Sequence, residues 1–490
     1  MRPLPRAVAG LAALLALSAA PARPTPPALA LTPCEIEHPL KLTVLAAECT
    51  VLEVPENPQD PLGRQIALHV ARVPAISRNK PPDPLFVLAG GPGQAASAFY
   101  ATVAGAFERI HRERDIVLVD QRGTGASNLL DCPEDADALY LSTDAEIARA
   151  TRRCLEALSA RARVAFYTTG LAVADLERVR AALGYERLDL YGASYGTRVA
   201  QQYLRTYPAR VRAVILDGVV PPSLVLGPAV ATDAQHALSA ILARCAADGP
   251  CHARFPDPVA DYTAVRAALS AHAVPVSVPD PSSGAPRPFS FGPDQLALVL
   301  RLGSYASEYA SLLPLLLHTA ASGDYAPLAA QFLLLKRSYE DVATGMHNSV
   351  VCSEDVPFID PRTVDRAALQ GTYLGASELD GLAVVCGLWP RGPVPADLHT
   401  PLKSDVPALL LSGSDDPVTP PAYAAEAARG FARQRQIVLE GFGHGQLTAP
   451  CMDRVMARFL ESPDPLALEV ACTANAHPMP FFLGVNGPGP

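Results

Sequence analysis

The chain has 490 residues, 49% of them hydrophobic and 18% charged, with 33 Gly and 49 Pro. That apolar content excludes a disordered chain, and a formal net charge of -9 argues against nucleic acid as the main partner. The length is roughly two to four times that of a typical domain, so one large core or two domains are expected.

At the N-terminus, Arg2 and Arg6 precede a run rich in Ala and Leu, then Ala20-Pro21-Ala22, with Ala28-Leu29-Ala30 as a second small-residue exit. A charged start, a short apolar stretch and a small-residue exit predict a secretory signal peptide over residues 1–22, with an alternative end at 30. No later window reaches about 18 uninterrupted apolar residues, so no integral membrane segment is expected after signal removal. The expected location is the periplasm or the extracellular space. The ten cysteines agree, because an even count in an exported chain suggests disulfides, and C-x-x-C is absent. The simplest pairing joins neighbours: Cys34 with Cys49, Cys132 with Cys154, Cys245 with Cys251, Cys352 with Cys386, and Cys451 with Cys472.

Short continuous apolar runs bounded by turn residues predict strands at 66–70, 85–88, 116–119, 188–191, 214–216, 408–411 and 437–439. Runs without alternation suit strands buried on both faces, as in a parallel sheet. Helical stretches at 171–183 and 197–206 lie between them, which predicts an α/β architecture. The alternation stops after residue 222. From 223 to 400 helical stretches such as 231–245 and 295–304 dominate, interrupted by a Pro/Ser/Gly-rich segment at 274–288. The expected organisation is a core over 31–222, a mainly helical insertion over 223–400, the rest of the core over 401–475, and a tail over 476–490.

The strand at 188–191 runs into Gly192-Ala193-Ser194-Tyr195-Gly196, and a helix follows. A serine on so sharp a turn needs glycines two before and two after it, where side chains would clash. A hydroxyl is a weak nucleophile and needs a base held by a carboxylate. Two later strands end on suitable groups. One leads into Gly413-Ser414-Asp415-Asp416-Pro417-Val418-Thr419-Pro420, and the next into Gly441-Phe442-Gly443-His444-Gly445. His444 is the expected base, and Asp416 is favoured over Asp415 as the acid. Stabilising an oxyanion takes two backbone N–H donors. Tyr195, directly after the serine, and Gly91, in Gly90-Gly91-Pro92-Gly93 after an earlier strand, are the candidates.

Gly90-Gly91-Pro92-Gly93, Asp120-Gln121-Arg122-Gly123-Thr124-Gly125-Ala126-Ser127 and Gly192-Ala193-Ser194-Tyr195-Gly196-Thr197 together resemble exported serine aminopeptidases. These are the prolyl and tripeptidyl aminopeptidase relatives within the α/β-hydrolase fold. The stretch from Asp415 to Pro420 is similar to the acid motif of their TAP-like C-terminal region. The resemblance covers roughly residues 35 to 475. It implies a mostly parallel sheet with helices on both faces, and a mainly helical cap inserted after the strand that follows the nucleophile helix. By position it assigns Ser194 as nucleophile, Asp416 as acid and His444 as base. The implied partner is a peptide with a free N-terminus, cleaved through an acyl-enzyme with no metal or organic cofactor. Ala89 stands where prolyl aminopeptidases usually carry His, which shifts the reading toward the tripeptidyl branch. The alternative on the same fold is an exported carboxylesterase, because a triad does not distinguish amide from ester.

The insertion holds 10 Lys/Arg and 17 Asp/Glu, so it carries -7 of the total charge. A negative vestibule would attract a cationic N-terminus, although a helical surface is often charged simply for solvation. Val350-Val351-Cys352-Ser353-Glu354-Asp355 is similar to a Cys-and-acid segment of the family's cap. Glu354 or Asp355 is the expected ligand for the substrate ammonium, ahead of Glu308, Glu340 and Asp341. Arg122 is expected to make an internal ion pair or hydrogen bonds that hold the oxyanion loop.

Overall fold

The computed structural model describes residues 29–132, 143–340 and 342–489. The signal peptide expected over residues 1–22 lies outside them, as do Asp341 and the side chain of Glu340. Eleven strands are present among the described residues. They are β1 (Thr32–Glu37), β2 (Val44–Pro55), β3 (Gln65–Val73), β4 (Leu85–Leu88), β5 (Ile116–Val119), β6 (Leu188–Ala193), β7 (Val211–Asp217), β8 (Val274–Pro279), β9 (Pro286–Phe291), β10 (Ala408–Gly413) and β11 (Gln434–Leu439).

Nine strands form one sheet in the order β1-β2-β3-β5-β4-β6-β7-β10-β11. From β5 through β11 every neighbouring pair is parallel, and β1, β2 and β3 add an antiparallel edge. All four residues of β4 and of β5 are buried, as a sheet covered on both faces requires. Phe86, Leu88, Leu190 and Val214 pack on one face with the helices Thr169–Ala182 and Tyr195–Thr206. Val87, Leu118, Tyr191 and Ile215 pack on the other with the helices Ala96–Val103 and Met452–Glu461.

The seven strands expected from apolar runs are all present; β1, β2, β8 and β9 were not expected. The first two carry mostly exposed or half-buried residues, so they lack a continuous apolar run. The hairpin β8–β9 covers the stretch whose prolines suggested a loop and runs three residues past it. Alternate residues Val274, Val276 and Val278 face the local core there.

Between β7 and β10 the chain builds two kinds of packing. Leu238, Ile241, Phe255, Val265, Val299, Leu317 and Phe332 form a separate core, and the hairpin packs against it. Met346, Val350, Cys352, Cys386 and Trp389 instead join the core on one face of the sheet. The second half of the inserted segment is thus built onto the nine-stranded sheet. The tail is packed as well, with Phe481 inside the separate core.

Five disulfides link Cys34 to Cys49, Cys132 to Cys154, Cys245 to Cys251, Cys352 to Cys386 and Cys451 to Cys472, the neighbour pairing expected. No helix among the described residues is long and apolar enough to cross a membrane.

This topology gathers the candidate residues. Leu88 pairs with Gly192, Ala193 and Leu411 with Asp217, and Gly413 with Leu439, so β4, β6, β7, β10 and β11 end at one edge. The strand order reverses between β4 and β6, the place where open α/β sheets form a ligand crevice.

Candidate active site

Ser194 sits between β6 and the helix Tyr195–Thr206 with φ 53° and ψ -122°, a strained conformation for a residue with a side chain. A Cβ on Gly192 would collide with the Gly196 carbonyl, and one on Gly196 with the Leu88 carbonyl. A Cβ on Gly90 would come within 3.2 Å of the Ser194 Cβ, so the loop after β4 lies directly against the candidate nucleophile. Among the described residues, no hydrogen bond occupies Ser194 Oγ or the backbone N–H groups of Gly91 and Tyr195. Ser194, Tyr195 and Gly91 all line one cavity of about 60 Å³.

His444 follows β11 and turns its Nδ1 to Asp416, at 2.8 Å from Oδ2 and 3.0 Å from Oδ1. Asp416 is further held by the N–H groups of Val418 and Thr419, each at 2.8 Å, and by the Thr419 hydroxyl at 2.9 Å. Asp415 turns away, accepting from Ser414 and lying 3.4 Å from Arg244. Burial alone would raise the Asp416 pKa, but His444 and these N–H donors hold the carboxyl below its ordinary value. Burial works against charge on His444, yet the Asp416 carboxylate, with a smaller contribution from Asp217, raises the imidazole above its ordinary value. This pairing leaves Nε2 as the ring nitrogen without a hydrogen bond among the described residues.

Asp217, at the end of β7, was not singled out in the sequence. Its carbonyl accepts the Ser194 N–H at 2.8 Å. Its carboxylate accepts the Gln446 N–H at 2.8 Å, the Leu447 N–H at 3.0 Å and the Tyr191 hydroxyl at 2.9 Å. One residue therefore joins the serine turn to the loop that carries His444. Burial pushes its pKa up to about 6 against those donors. The next residue, Gly218, has φ 65°, and a Cβ there would lie 2.8 Å from His444 Cε1. The inserted segment supports the same loops. Tyr305 accepts the His444 N–H at 2.7 Å, Gly93 accepts the Ala343 N–H at 3.0 Å, and His347 Nδ1 lies 3.2 Å from the Pro92 carbonyl.

The acids at 354 and 355 are engaged inside the protein. Glu354 is fully buried and accepts the Thr169 N–H at 2.6 Å and the Thr169 hydroxyl at 2.7 Å. Thr169 Oγ1 lies 2.7 Å from the Tyr195 hydroxyl, which also accepts from Gln121 at 3.0 Å. Burial raises the Glu354 pKa to about 7, against Arg198 and Thr169. Asp355 lines the cavity, but both its oxygens take the Arg198 guanidinium, at 3.0 and 2.9 Å, and Oδ1 also takes the Leu226 N–H at 2.9 Å. Arg122 is buried and pairs with Asp175 at 2.7 and 2.9 Å and with the carbonyls of Glu56 and Phe166. It thus braces the helix Thr169–Ala182, and none of these bonds reaches the loop at Gly90–Gly93. Glu308 is exposed.

Comparison with known proteins agrees with this architecture. Residues 83–242 match the family model described as "alpha/beta hydrolase fold", and residues 372–472 match the one described as "TAP-like protein". Serine protease Hip1 of Mycobacterium tuberculosis is 33% identical over 211 residues, covering 39% of this chain and 39% of that protein. Tripeptidyl aminopeptidase of Streptomyces lividans is 29% identical over 192 residues, 36% of each chain. Proline iminopeptidase of Neisseria gonorrhoeae is 31% identical over 137 residues, 28% of this chain and 32% of that protein. The matched stretches thus span well under half of each relative. With the strand order and the serine turn, these matches show that the chain has the α/β-hydrolase fold, and that residues 372–472 are similar to the TAP-like protein family.

Proposed function

We propose that the protein is an exported serine hydrolase that cleaves peptide bonds near a free N-terminus. Ser194 Oγ attacks the carbonyl carbon while His444 Nε2 takes its proton and then gives it to the leaving amine. Asp416 orients His444 and stabilises its imidazolium form. The N–H groups of Gly91 and Tyr195 receive the oxyanion, at the positive end of the helix behind the serine. Water, activated by the same imidazole, then releases the acyl group.

One observation carries the reading: the Asp416–His444 pair and the strained Ser194 turn stand at strand ends on one edge of the sheet, and Asp217, on the strand between them, ties the serine turn to the His444 loop. Peptidase names among the relatives favour an amide over an ester, and five disulfides favour export. In this reading Glu354 holds Tyr195 in place through Thr169, and Asp355 neutralises Arg198 in the cavity wall.

A panel of aminoacyl and tripeptidyl fluorogenic amides, with free and acetylated N-termini, tests the proposal alongside simple esters. Free-amine amides are expected to be the best substrates, and Ser194→Ala to remove turnover to background. A preference for esters or for acetylated amides overturns it.

A further inference from the structure

The cavity beside Ser194 is walled by the aliphatic side chains of Val220, Leu224, Leu226, Val230 and Val418. Two carboxylates reach it from the inserted segment, and they differ. Asp355 is bound at both oxygens by Arg198, so that pair presents no net charge. Asp233, on the helix Val230–Ala247, has no Lys or Arg within ion-pair distance among the described residues. Its Oδ2 accepts the Tyr423 hydroxyl at 2.7 Å, and Oδ1 has no hydrogen-bond partner among the described residues. The other titratable groups acting on it are His236, which is exposed, and Asp416. Asp233 is thus an uncompensated negative charge in a largely apolar chamber, held in one orientation by Tyr423.

We propose that Asp233, in the wall of the cavity beside Ser194, binds the ammonium of the substrate's free N-terminus. This rests on the peptidase reading above. A partly desolvated carboxylate without a cation partner favours a primary or prolyl ammonium over a neutral acetylated terminus.

The experiment uses the full-length enzyme with alanyl, valyl, prolyl and trialanyl p-nitroanilides, free and N-acetylated, with first products identified by mass spectrometry. Asp233→Asn is expected to raise KM for free-amine substrates roughly tenfold or more, with a smaller change in kcat, and to erase the preference for free over acetylated termini. Asp233→Glu should restore part of that preference. Labelling of Ser194 by a fluorophosphonate reports that each variant is folded. Should Asp233→Asn fail to label, Tyr423→Phe gives the second reading, with a smaller rise in KM.

An unchanged KM in labelled Asp233→Asn overturns the ammonium site. Loss of Ser194 labelling in both Asp233→Asn and Tyr423→Phe also overturns it, because the pair would then be holding the fold rather than the substrate. Ester hydrolysis alone by the wild-type enzyme removes the peptidase reading, and this proposal with it.

Discussion

His444 is a largely buried imidazole between two carboxylates of different kinds. Asp416 touches it and Asp217 acts from a distance, and together they keep its proton affinity above the ordinary value despite burial. In the proposed mechanism His444 is the general base, which works only when neutral, so a raised pKa means activity is lost as pH falls through a value above 6.5. Asp416→Asn removes the larger influence and the preference for the productive tautomer. It should lower kcat by roughly 10³- to 10⁴-fold. It should also move the acid limb of the kcat/KM profile to lower pH, because the remaining Asp217 is the weaker partner. A pH–rate series on the variant checks both; an unmoved acid limb would show that another group controls the titration. The contrast between Asp415 and Asp416 shows how fine this placement is. They are adjacent in sequence, yet one reaches His444 and the other lies toward Arg244.

At the level of elements, what was legible in the sequence depended on whether the signal was local. Strands β4 and β5 are continuous apolar runs buried on both faces, and a run of that kind has few other structures open to it. The glycines around Ser194 and the loops of Asp416 and His444 are local too, each fixed by the residues beside it. Edge strands β1 and β2 are half-wetted, and β8–β9 alternates valine with polar residues and proline, so their patterns are weak. Asp217 and Asp233 were out of reach because their roles are set by partners 229 and 190 residues away. The engagement of Asp355 with Arg198, 157 residues distant, was hidden for the same reason. The tail gives a further case. Its composition suggests loose chain, yet Phe481 is 5% exposed in the core of the insertion, its ring under Arg244. The Phe482 N–H bonds the Ser311 carbonyl at 3.0 Å, and Arg244 also faces Asp415. The tail therefore fastens the insertion beside the loop of Asp415 and Asp416. Phe481→Ala should cost about 3 kcal/mol or more, the usual loss for emptying a buried aromatic site. Lower Tm and faster proteolysis within residues 230–335 are the expected readouts, and an unchanged Tm would contradict the packing role.

For the molecule as a whole, the buried carboxylates divide into two sets that act on stability in opposite pH ranges. Burial raises Asp189 and Asp217 to about 6 and Glu354 to about 7, in each case against hydrogen bonds or cations that favour the charged form. Burial also opposes ionisation of Asp115, Asp120 and Asp416. There Lys80, His69 and His444 and the donors around them prevail, and the pKa values fall below ordinary. A carboxyl whose folded pKa is raised stabilises the fold fully below its unfolded pKa, about 4, and loses that contribution as pH rises through the folded value. The raised set therefore withdraws stability between about pH 4 and pH 8, and His444, also raised, acts in the same direction above 6.5. The lowered set stabilises above about pH 4 and loses its contribution only as pH falls below that. Growing negative charge adds self-repulsion on the alkaline side, from a formal net charge of -9 at pH 7. Two pKa units correspond to about 3 kcal/mol per group, so three raised acids make the slope measurable even after solvent relaxation reduces it. Thermal unfolding between pH 4.5 and 8.5 should show the highest Tm near pH 5 and a steady fall toward pH 8. Glu354→Gln should flatten the part of that fall around pH 7, where Glu354 titrates and the two aspartates have finished. A Tm that climbs toward pH 8 in the wild-type protein, or an unchanged slope around pH 7 in Glu354→Gln, would mean these carboxyls are ionised throughout and held by their donors alone.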